Sequence, residues 1–291
     1  MNHGVLCVMK PWEAVQRRKK MDSDQRRRRL EQDFKTKFMV KMQFTDIEAT
    51  YITQPTETLG RNNALHKIFM RRNDISIIDA FACVGGDSIS FMSAFPLCEL
   101  HSVQQVTTAE ETGRYRRLCD NVANAQKQER YRGVRFHPYD CPIDVAFSRI
   151  KENVGGKIDL LFLDPPWKIG ETVMDLTSMT EFLKINVFQP MILSNLMPEI
   201  ICMKLSFSVR DLRSCQDFMQ LIGVYLPIKS VPVLRMIRGT EKTICTFHIF
   251  KQNRPPTPPT SLVKMTIPPM ARGLDKAFSD IVGKFCSNLC I

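Results

Sequence analysis

The chain has 291 residues and a net charge of +11, with 44% hydrophobic and 24% charged residues. This length suits one large domain with extensions, and no apolar stretch reaches the roughly 20 residues that a membrane span requires. The first residues lack the pattern of a cleavable secretory signal. We therefore expect an intracellular protein, in the nucleus or the cytoplasm and not secreted, whose ten cysteines stay reduced.

Residues 1–41 are predicted to form a basic N-terminal arm. Between residues 10 and 41, twelve Lys and Arg residues outnumber five acidic ones, which gives a net charge of +7. Residues 12–41 contain neither Pro nor Gly and are predicted to be helical. The charge favours a polyanion such as RNA, or a nuclear-import signal, and the sequence leaves both interpretations open.

A mixed segment, 42–72, precedes a regular alternation of strands and helices over 73–253. Segment 42–72 is expected to supply helical and substrate-binding elements. The predicted strands lie in ISIIDAF, LHSVQQVTTAEE, VRFHPYD, KIDLLFLDPPW, EIICMKLSF and, as two strands joined at Gly239, VPVLRMIRGTEKTICTFHIFK. This order predicts a Rossmann-like α/β fold of the class I methyltransferase type, with a seven-stranded, mainly parallel sheet and an antiparallel last strand.

Two further segments follow this domain. Residues 254–269 are rich in proline and are predicted to be a linker with polyproline II character. Residues 270–291 place apolar side chains at helical spacing and are predicted to form an amphipathic helix. We expect this helix to dock on its own domain, and it is also a possible site for a protein partner.

Acidic residues and glycines near the ends of the first three predicted strands outline an adenosine site. Asp79 ends the first strand, and Gly85 and Gly86 allow a ligand to approach the backbone. Glu110, at the end of the second predicted strand, could accept hydrogen bonds from both ribose hydroxyls. Asp140, after the third, is placed to accept a hydrogen bond from an adenine amine. Ligands of such sheets bind beyond the carboxyl ends of the strands.

The motif DPPW, residues 164–167, ends another predicted strand. An exocyclic amine on an aromatic base is a poor nucleophile because its lone pair is delocalised into the ring. Asp164 and the carbonyl of Pro165 could accept its two hydrogens, and Trp167 could stack on the base, a contact worth about 1–3 kcal/mol. The sequence therefore predicts a catalytic site for methylation of a base amine. No cysteine or histidine spacing indicates a metal site.

The stretch IIDAFACVGGDSISF, residues 77–91, resembles the cofactor loop of the trimethylguanosine synthase family of S-adenosylmethionine-dependent RNA methyltransferases. YITQP, residues 51–55, is similar to the element that precedes that loop in the family. The resemblance implies S-adenosyl-L-methionine as cofactor and capped RNA as partner. It also implies that Phe81 contributes to the cofactor site and that Thr53 and Pro55 contribute to the substrate site. The implied substrate is a 7-methylguanosine cap, with Trp167 on one face of the base and Trp12 as a candidate for the other.

Three alternatives remain open. Asp164, where the family usually has Ser, gives the DPPW of adenine methyltransferases, although in those the motif precedes the cofactor loop. A ribose 2'-hydroxyl methyltransferase would use a Lys-Asp-Lys-Glu tetrad, for which Asp164, Lys204, Glu241 and Lys67 are candidates. The third alternative is an inactive RNA-binding scaffold.

Overall fold

The computed structural model describes residues 11–154, 157–166, 168–169, 172–173, 176–208, 228–230, 234–237 and 243–252. Side chains are described over 24–154, 157–166 and 178–204. The predicted linker 254–269 and the predicted C-terminal helix 270–291 lie outside the described residues. Within the described part of the chain, no helix is long and apolar enough to cross a membrane.

The main sheet consists of eight strands in the described residues, and five of them run parallel. These five lie in the order β3-β2-β1-β4-β7, and β10 joins the edge of β7 in antiparallel orientation, followed by β8. A further strand, β9, also pairs with β10. The strands are β1 Ser76–Asp79, β2 Glu99–Val103, β3 Arg135–Tyr139, β4 Lys157–Leu163, β7 Met197–Ser208, β8 Ile228–Ser230, β9 Leu234–Ile237 and β10 Thr243–Gln252.

The expected total of seven strands was therefore wrong, whereas the parallel Rossmann-like sheet is confirmed. A separate two-stranded hairpin, β5 Lys168–Ile169 with β6 Thr172–Val173, follows DPPW. Sequence periodicity does not reveal such short strands, because two residues contain no repeat.

Helices cover both faces of the sheet. They are α1 Pro11–Lys37, α2 Pro55–Ile68, α3 Gly86–Ala94, α4 Ala109–Gln126, α5 Ile143–Val154, α6 Leu176–Leu183 and α7 Gln189–Leu193, with a π-helical turn at Lys184–Phe188 and 3-10 turns at Glu48–Thr50 and Glu129–Tyr131. Successive side chains of a strand point to opposite faces of the sheet, so neighbouring residues of the buried strands pack in different apolar layers. Ile77 packs with residues from α1 to α4, and Ile78 packs with residues from α5 to α7.

The predicted boundary at residue 41 does not separate an arm from the domain. Leu30 and Phe34 lie four residues apart on one side of α1, Phe38 follows directly after its last residue, and all three are 0–1% exposed. All three belong to the apolar layer that α2, α3 and α4 also contribute to. Because the net charge of 1–41 is high, the composition of the segment conceals this short apolar stripe. The end of α1 is part of the core.

The order of the strands fixes where a ligand site can lie. β1 pairs with β2 on one side and with β4 on the other, and the chain direction of the connections reverses between β1 and β4. In open parallel sheets, ligands bind outside the carboxyl ends of the strands at such a switch point. Asp79 is the last residue of β1, and Asp164 directly follows β4.

Candidate active site

The turn after β1 approaches helix α4 closely. The amide of Ala82 donates to the carbonyl of Val103 (2.9 Å), and that of Gly85 donates to the carbonyl of Ala82 (2.8 Å). Gly85 has φ +91°, and a Cβ at this residue would lie 2.9 Å from Cδ1 of Leu118. Only glycine combines this left-handed conformation with that contact, because it lacks the Cβ.

Gly86 begins helix α3 and also has close neighbours. A Cβ on Gly86 would lie 3.0 Å from Cγ2 of Ile52 and 3.5 Å from Cζ of Phe34. Both predicted glycines thus lie in a tight turn between β1 and the start of a helix, with backbone amides at its end. Contacts inside the protein therefore account for both glycines, and the approach of a ligand to this turn stays a prediction.

Asp79 is a fully buried carboxylate at the switch point. The hydroxyl of Ser88 donates to its Oδ2 (2.7 Å) and also lies 2.9 Å from the hydroxyl of Ser102. Its Oδ1 is buried and has no hydrogen-bond partner among the described residues. Burial raises the pKa of Asp79 to about 7, with a further increase from the negative charge of Asp87.

Behind this turn, a buried ion pair joins helices α2 and α3. Arg61, 0% exposed, donates to Oδ1 of Asp87. Its guanidinium carbon lies 4.0 Å from the ring centroid of Phe91 and 4.6 Å from that of Phe162. The hydroxyl of Thr53 donates to the other oxygen of Asp87 (2.7 Å). The carboxylate of Asp87 is therefore held by a charged donor and a neutral one, as a buried charge requires.

Asp164 is paired with a lysine from the neighbouring strand. Nζ of Lys204, in β7, lies 2.5 Å from Oδ2 of Asp164, and the two side chains are 10% and 13% exposed. The same ammonium donates to Oγ1 of Thr53 (2.8 Å). Thr53 thus joins two ion pairs, and its hydroxyl is engaged inside the protein. This finding differs from the substrate contact that the resemblance implies for Thr53.

The five charged side chains of this cluster carry a net negative charge. Asp79, Asp87 and Asp164 are three carboxylates, and Arg61 and Lys204 are the two cations, so the sum is −1 when all are ionised. Burial raises the pKa of Asp79 most, and the negative charges of Asp87 and Asp164 raise it further. A cationic group at Asp79 would relieve this repulsion.

The acids predicted to bind the adenosine have different positions. Asp140 follows β3 directly and is exposed, as the pattern predicts. Glu110 does not end a strand, because β2 ends at Val103 and Glu110 lies in the first turn of α4. Its side chain is 66% exposed and pairs with Arg114 (2.8 Å). Thr108 and Glu111 form a capping box, which starts the helix earlier than the apolar pattern indicated.

Of the other predicted site residues, the structure describes Phe81, Pro165 and Pro55 in full and the two tryptophans only in part or not at all. Phe81 is partly buried, with its ring centroid 5.9 Å from that of Phe182. Pro165 is buried next to Asp164. Pro55 is buried and is the first residue of α2, a position that suits its fixed φ. Trp167 lies outside the described residues, and of Trp12 only the backbone, in α1, is described.

The structure does not support Lys67 or Glu241 as members of the Lys-Asp-Lys-Glu tetrad of a ribose 2'-hydroxyl methyltransferase. Lys67 is exposed in the last turn of α2, twelve residues and about 18 Å along the helix from Pro55, which lies near Thr53. Glu241 lies outside the described residues. Among the described residues, no group of three or more His, Cys, Asp or Glu side chains could hold a metal ion. The five described cysteines are free thiols.

The strand order, the glycine turn after β1 and the acid after β4 together define a methyltransferase-like Rossmann fold. Comparison with solved structures shows the same fold. The chain matches the delta-N METTL16 MTase domain with a TM-score of 0.56 at 10% identity, over 79% of this chain and 97% of that one. It matches the human methyltransferase 10 domain containing protein with a TM-score of 0.55 at 10% identity, over 79% and 98% of the two chains.

A methyltransferase from Pyrococcus furiosus matches with a TM-score of 0.50 at 14% identity, over 79% of this chain and 98% of that one. No protein-family model matches the sequence, and no curated protein matches it either. At such low identity the solved structures establish the fold, and the reaction must be argued from the residues of the site.

Proposed function

We propose that the protein is an S-adenosylmethionine-dependent RNA methyltransferase. The observation that carries this proposal is the position of Asp79 and Asp164 at the carboxyl ends of adjacent strands, on either side of the switch point. In this proposal one carboxylate serves the cofactor and the other serves the methyl acceptor. The fold, shared with methyltransferase domains, supports the same conclusion.

The residues present suit this cofactor. S-adenosylmethionine, when bound, supplies a methyl group on a positively charged sulfonium, and it also carries an ammonium group. The cluster has a net charge of −1 when Asp79 is ionised, and the buried Oδ1 of Asp79 has no partner among the described residues. The turn at Gly85 and Gly86 would hold the cofactor with its backbone amides, alongside Phe81, and Asp140 would bind the adenine amine.

Glu110 is our candidate for the ribose hydroxyls, although Arg114 competes for its carboxylate. Replacing Glu110 by Ala should weaken cofactor binding at least fivefold, because two hydroxyls lose their acceptor, at a cost of roughly 1–3 kcal/mol. Isothermal titration with S-adenosylmethionine measures this. Unchanged affinity would remove Glu110 from the site and leave the assignment of Asp79 intact.

We propose that the methyl acceptor is the exocyclic amine of guanine in a 7-methylguanosine cap. Asp164 and the carbonyl of Pro165 would accept the two amine hydrogens and so direct the nitrogen lone pair towards the methyl group. Lys204 is paired with Asp164, so the carboxylate is positioned before substrate arrives. The resemblance of residues 51–55 and 77–91 to the trimethylguanosine synthase family supports guanine.

A second candidate is methylation of a ribose 2'-hydroxyl, and the distance of 2.5 Å between Lys204 and Asp164 favours it. A lysine and an aspartate in contact are two members of the tetrad that deprotonates such a hydroxyl. The exposed position of Lys67, at the far end of α2, counts against a complete tetrad. In this reaction Lys204 itself would touch the substrate.

One experiment separates these reactions. RNA with a 7-methylguanosine cap is incubated with the protein and isotope-labelled S-adenosylmethionine, then digested to nucleosides and examined by mass spectrometry. Label on the cap guanine supports the proposal, and label on a ribose supports the second candidate. Label on internal adenine would assign the adenine reaction. RNA binding without any labelled product would identify a scaffold.

A further inference from the structure

Helix α1 concentrates positive charge where the helix itself disfavours it. Between residues 11 and 29 it has eight Lys and Arg residues and three acidic ones. The peptide dipoles add positive charge at this same end of the helix, and like charges three or four residues apart repel each other. An external anion that neutralises these side chains would stabilise the N-terminal half of α1.

The orientation of this helix is fixed by its other half. Leu30, Phe34 and Phe38 are buried, so the stripe that faces the domain is known. Phe34 lies against the glycine turn, with Cζ 3.5 Å from the position that a Cβ on Gly86 would occupy. The basic half is continuous with this anchor, because α1 is one helix from Pro11 to Lys37.

The basic stretch is also attached to the chain segment that leads to the acceptor acid. Arg26 donates from Nε to the carbonyl of Ala49 (2.9 Å) and from a terminal nitrogen to that of Thr50 (3.1 Å). Three residues later, Thr53 accepts a hydrogen bond from Lys204, the partner of Asp164. Arg26 thus connects α1 to a chain segment that continues, three residues later, into the candidate active site.

The described cations of α1 differ in whether they contact other residues of the protein or solvent. Arg26 and Arg27 are engaged in internal contacts, Arg27 with Glu31 and Asp46. Arg28, Arg29 and Lys35 are exposed. Arg28 and Lys35 are seven residues apart, so their side chains lie on the same side of the helix, two turns apart.

We propose that the exposed basic face of α1, formed by Arg28, Arg29 and Lys35, binds the phosphates of the RNA next to the nucleotide that is methylated. The choice of RNA as the polyanion rests on the proposed function, and the position of the face rests on the contacts of α1. The face positions substrate and adds no group to the reaction.

The test compares two triple variants of the full chain. The first is Arg28→Ala with Arg29→Ala and Lys35→Ala, which keeps α1 intact because alanine favours helix. The control is Arg149→Ala with Lys151→Ala and Lys157→Ala, in α5 and at the start of β4. It removes the same charge from a region outside α1. Fluorescence anisotropy gives the affinity for capped single-stranded RNA over a series of salt concentrations, without cofactor.

The first variant should lower the slope of log affinity against log salt by about 2, since each lost phosphate contact on a single strand contributes about 0.7. The control variant should keep a slope close to that of the unaltered protein. Equal slopes for the two triple variants would overturn the inference, as would tighter binding of heparin than of RNA at matched salt. The assay measures RNA binding without cofactor, so it tests this inference even if the protein proves to have no methyltransferase activity.

Discussion

Nζ of Lys204 lies 2.5 Å from Oδ2 of Asp164, which places a strand β7 cation directly against the acid that follows β4. Both side chains are largely buried, and Thr53 connects the pair to Asp87. Such a pair fixes the direction of a carboxylate, because an ammonium and a hydrogen-bonded neighbour restrict its rotation. The position of Asp164 thus depends on three other segments of the chain.

Replacing Lys204 by Met should lower methyl transfer at least tenfold and destabilise the fold by about 3–5 kcal/mol, since it leaves a buried carboxylate without its cation. Combining this change with Asp164→Leu should recover stability but not activity. Urea unfolding and labelled-methyl transfer measure the two effects. If the single and double variants unfold at the same urea concentration, the two residues do not form an energetically important pair.

Asp79 makes stability depend on pH. Its pKa of about 7 in the folded protein exceeds the 3.8 of an unperturbed Asp, so between these values the folded state binds a proton that the unfolded chain releases. Stability should therefore fall as pH rises from about 4 to 7. Asp79→Asn cannot ionise, and above pH 7 it should be more stable than the unaltered protein by on the order of 1–4 kcal/mol.

Denaturant unfolding of Asp79→Asn at pH 5 and at pH 8 tests this expectation. The gain over the unaltered protein should be larger at pH 8 than at pH 5. An equal difference at the two values would show that Asp79 does not titrate in this interval. A cationic cofactor should reduce the gain at pH 8, because it stabilises the ionised Asp79 of the unaltered protein.

Gly85 and Gly113 should respond to alanine in opposite directions. Gly85→Ala introduces a Cβ 2.9 Å from Cδ1 of Leu118 at φ +91°, and it should cost roughly 1–3 kcal/mol and weaken cofactor binding. Gly113 lies inside α4, where the nearest contact would be the flexible end of Arg117 at 3.4 Å. Alanine there should stabilise by about 0.5–1 kcal/mol. Thermal unfolding of both variants measures these effects. If both variants are destabilised by the same amount, the predicted difference between Gly85 and Gly113 is wrong.

Phe34 tests whether α1 belongs to the domain. Phe34→Ala removes a ring that is 0% exposed and should cost about 3–5 kcal/mol. Met39→Ala, at a side chain that is 63% exposed, should change stability by less than about 0.5 kcal/mol. Deletion of residues 1–23 should leave a folded protein, whereas deletion of 1–41 should not. A stable, cooperative fold after the longer deletion would show that the core does not require this helix.

The sequence predicted the residues whose local chemistry is distinctive, and it missed those defined by long-range contacts. Asp79 ends a β-branched strand and Gly85 and Gly86 follow it, a pattern visible along the chain, and the structure places them at the switch point. Arg61 and Asp87, 26 residues apart, gave no local signal, because their pairing depends on how α2 packs on α3. A partial signal existed for Lys204, as one member of the tetrad alternative.

Glu110 shows the opposite error. Its spacing from Asp79 suggested the end of a strand, but Thr108 and Glu111 start a helix before it. Thr108 followed by Glu111 has the spacing of a capping box, so the sequence contains a signal for this helix start. In the N-terminal segment, net charge obscured the apolar stripe of Leu30, Phe34 and Phe38, since three residues among many cations barely alter the composition.

The last prediction concerns the base itself. A guanine methylated at its ring 7-position carries a positive charge, and a cationic ring over an indole gains roughly 0.5–2 kcal/mol beyond neutral stacking. Trp167, the last residue of the DPPW motif, is our candidate for that indole, and Asp164 would attract the same cationic ring. Trp167→Ala should therefore reduce methyl transfer at least tenfold, and Trp167→Phe should retain more activity because it keeps a weaker aromatic face. Rates are compared on two RNAs whose caps differ only in the 7-methyl group. Equal rates on both caps would show that ring charge is not recognised and would shift the proposal from the cap to an uncharged base.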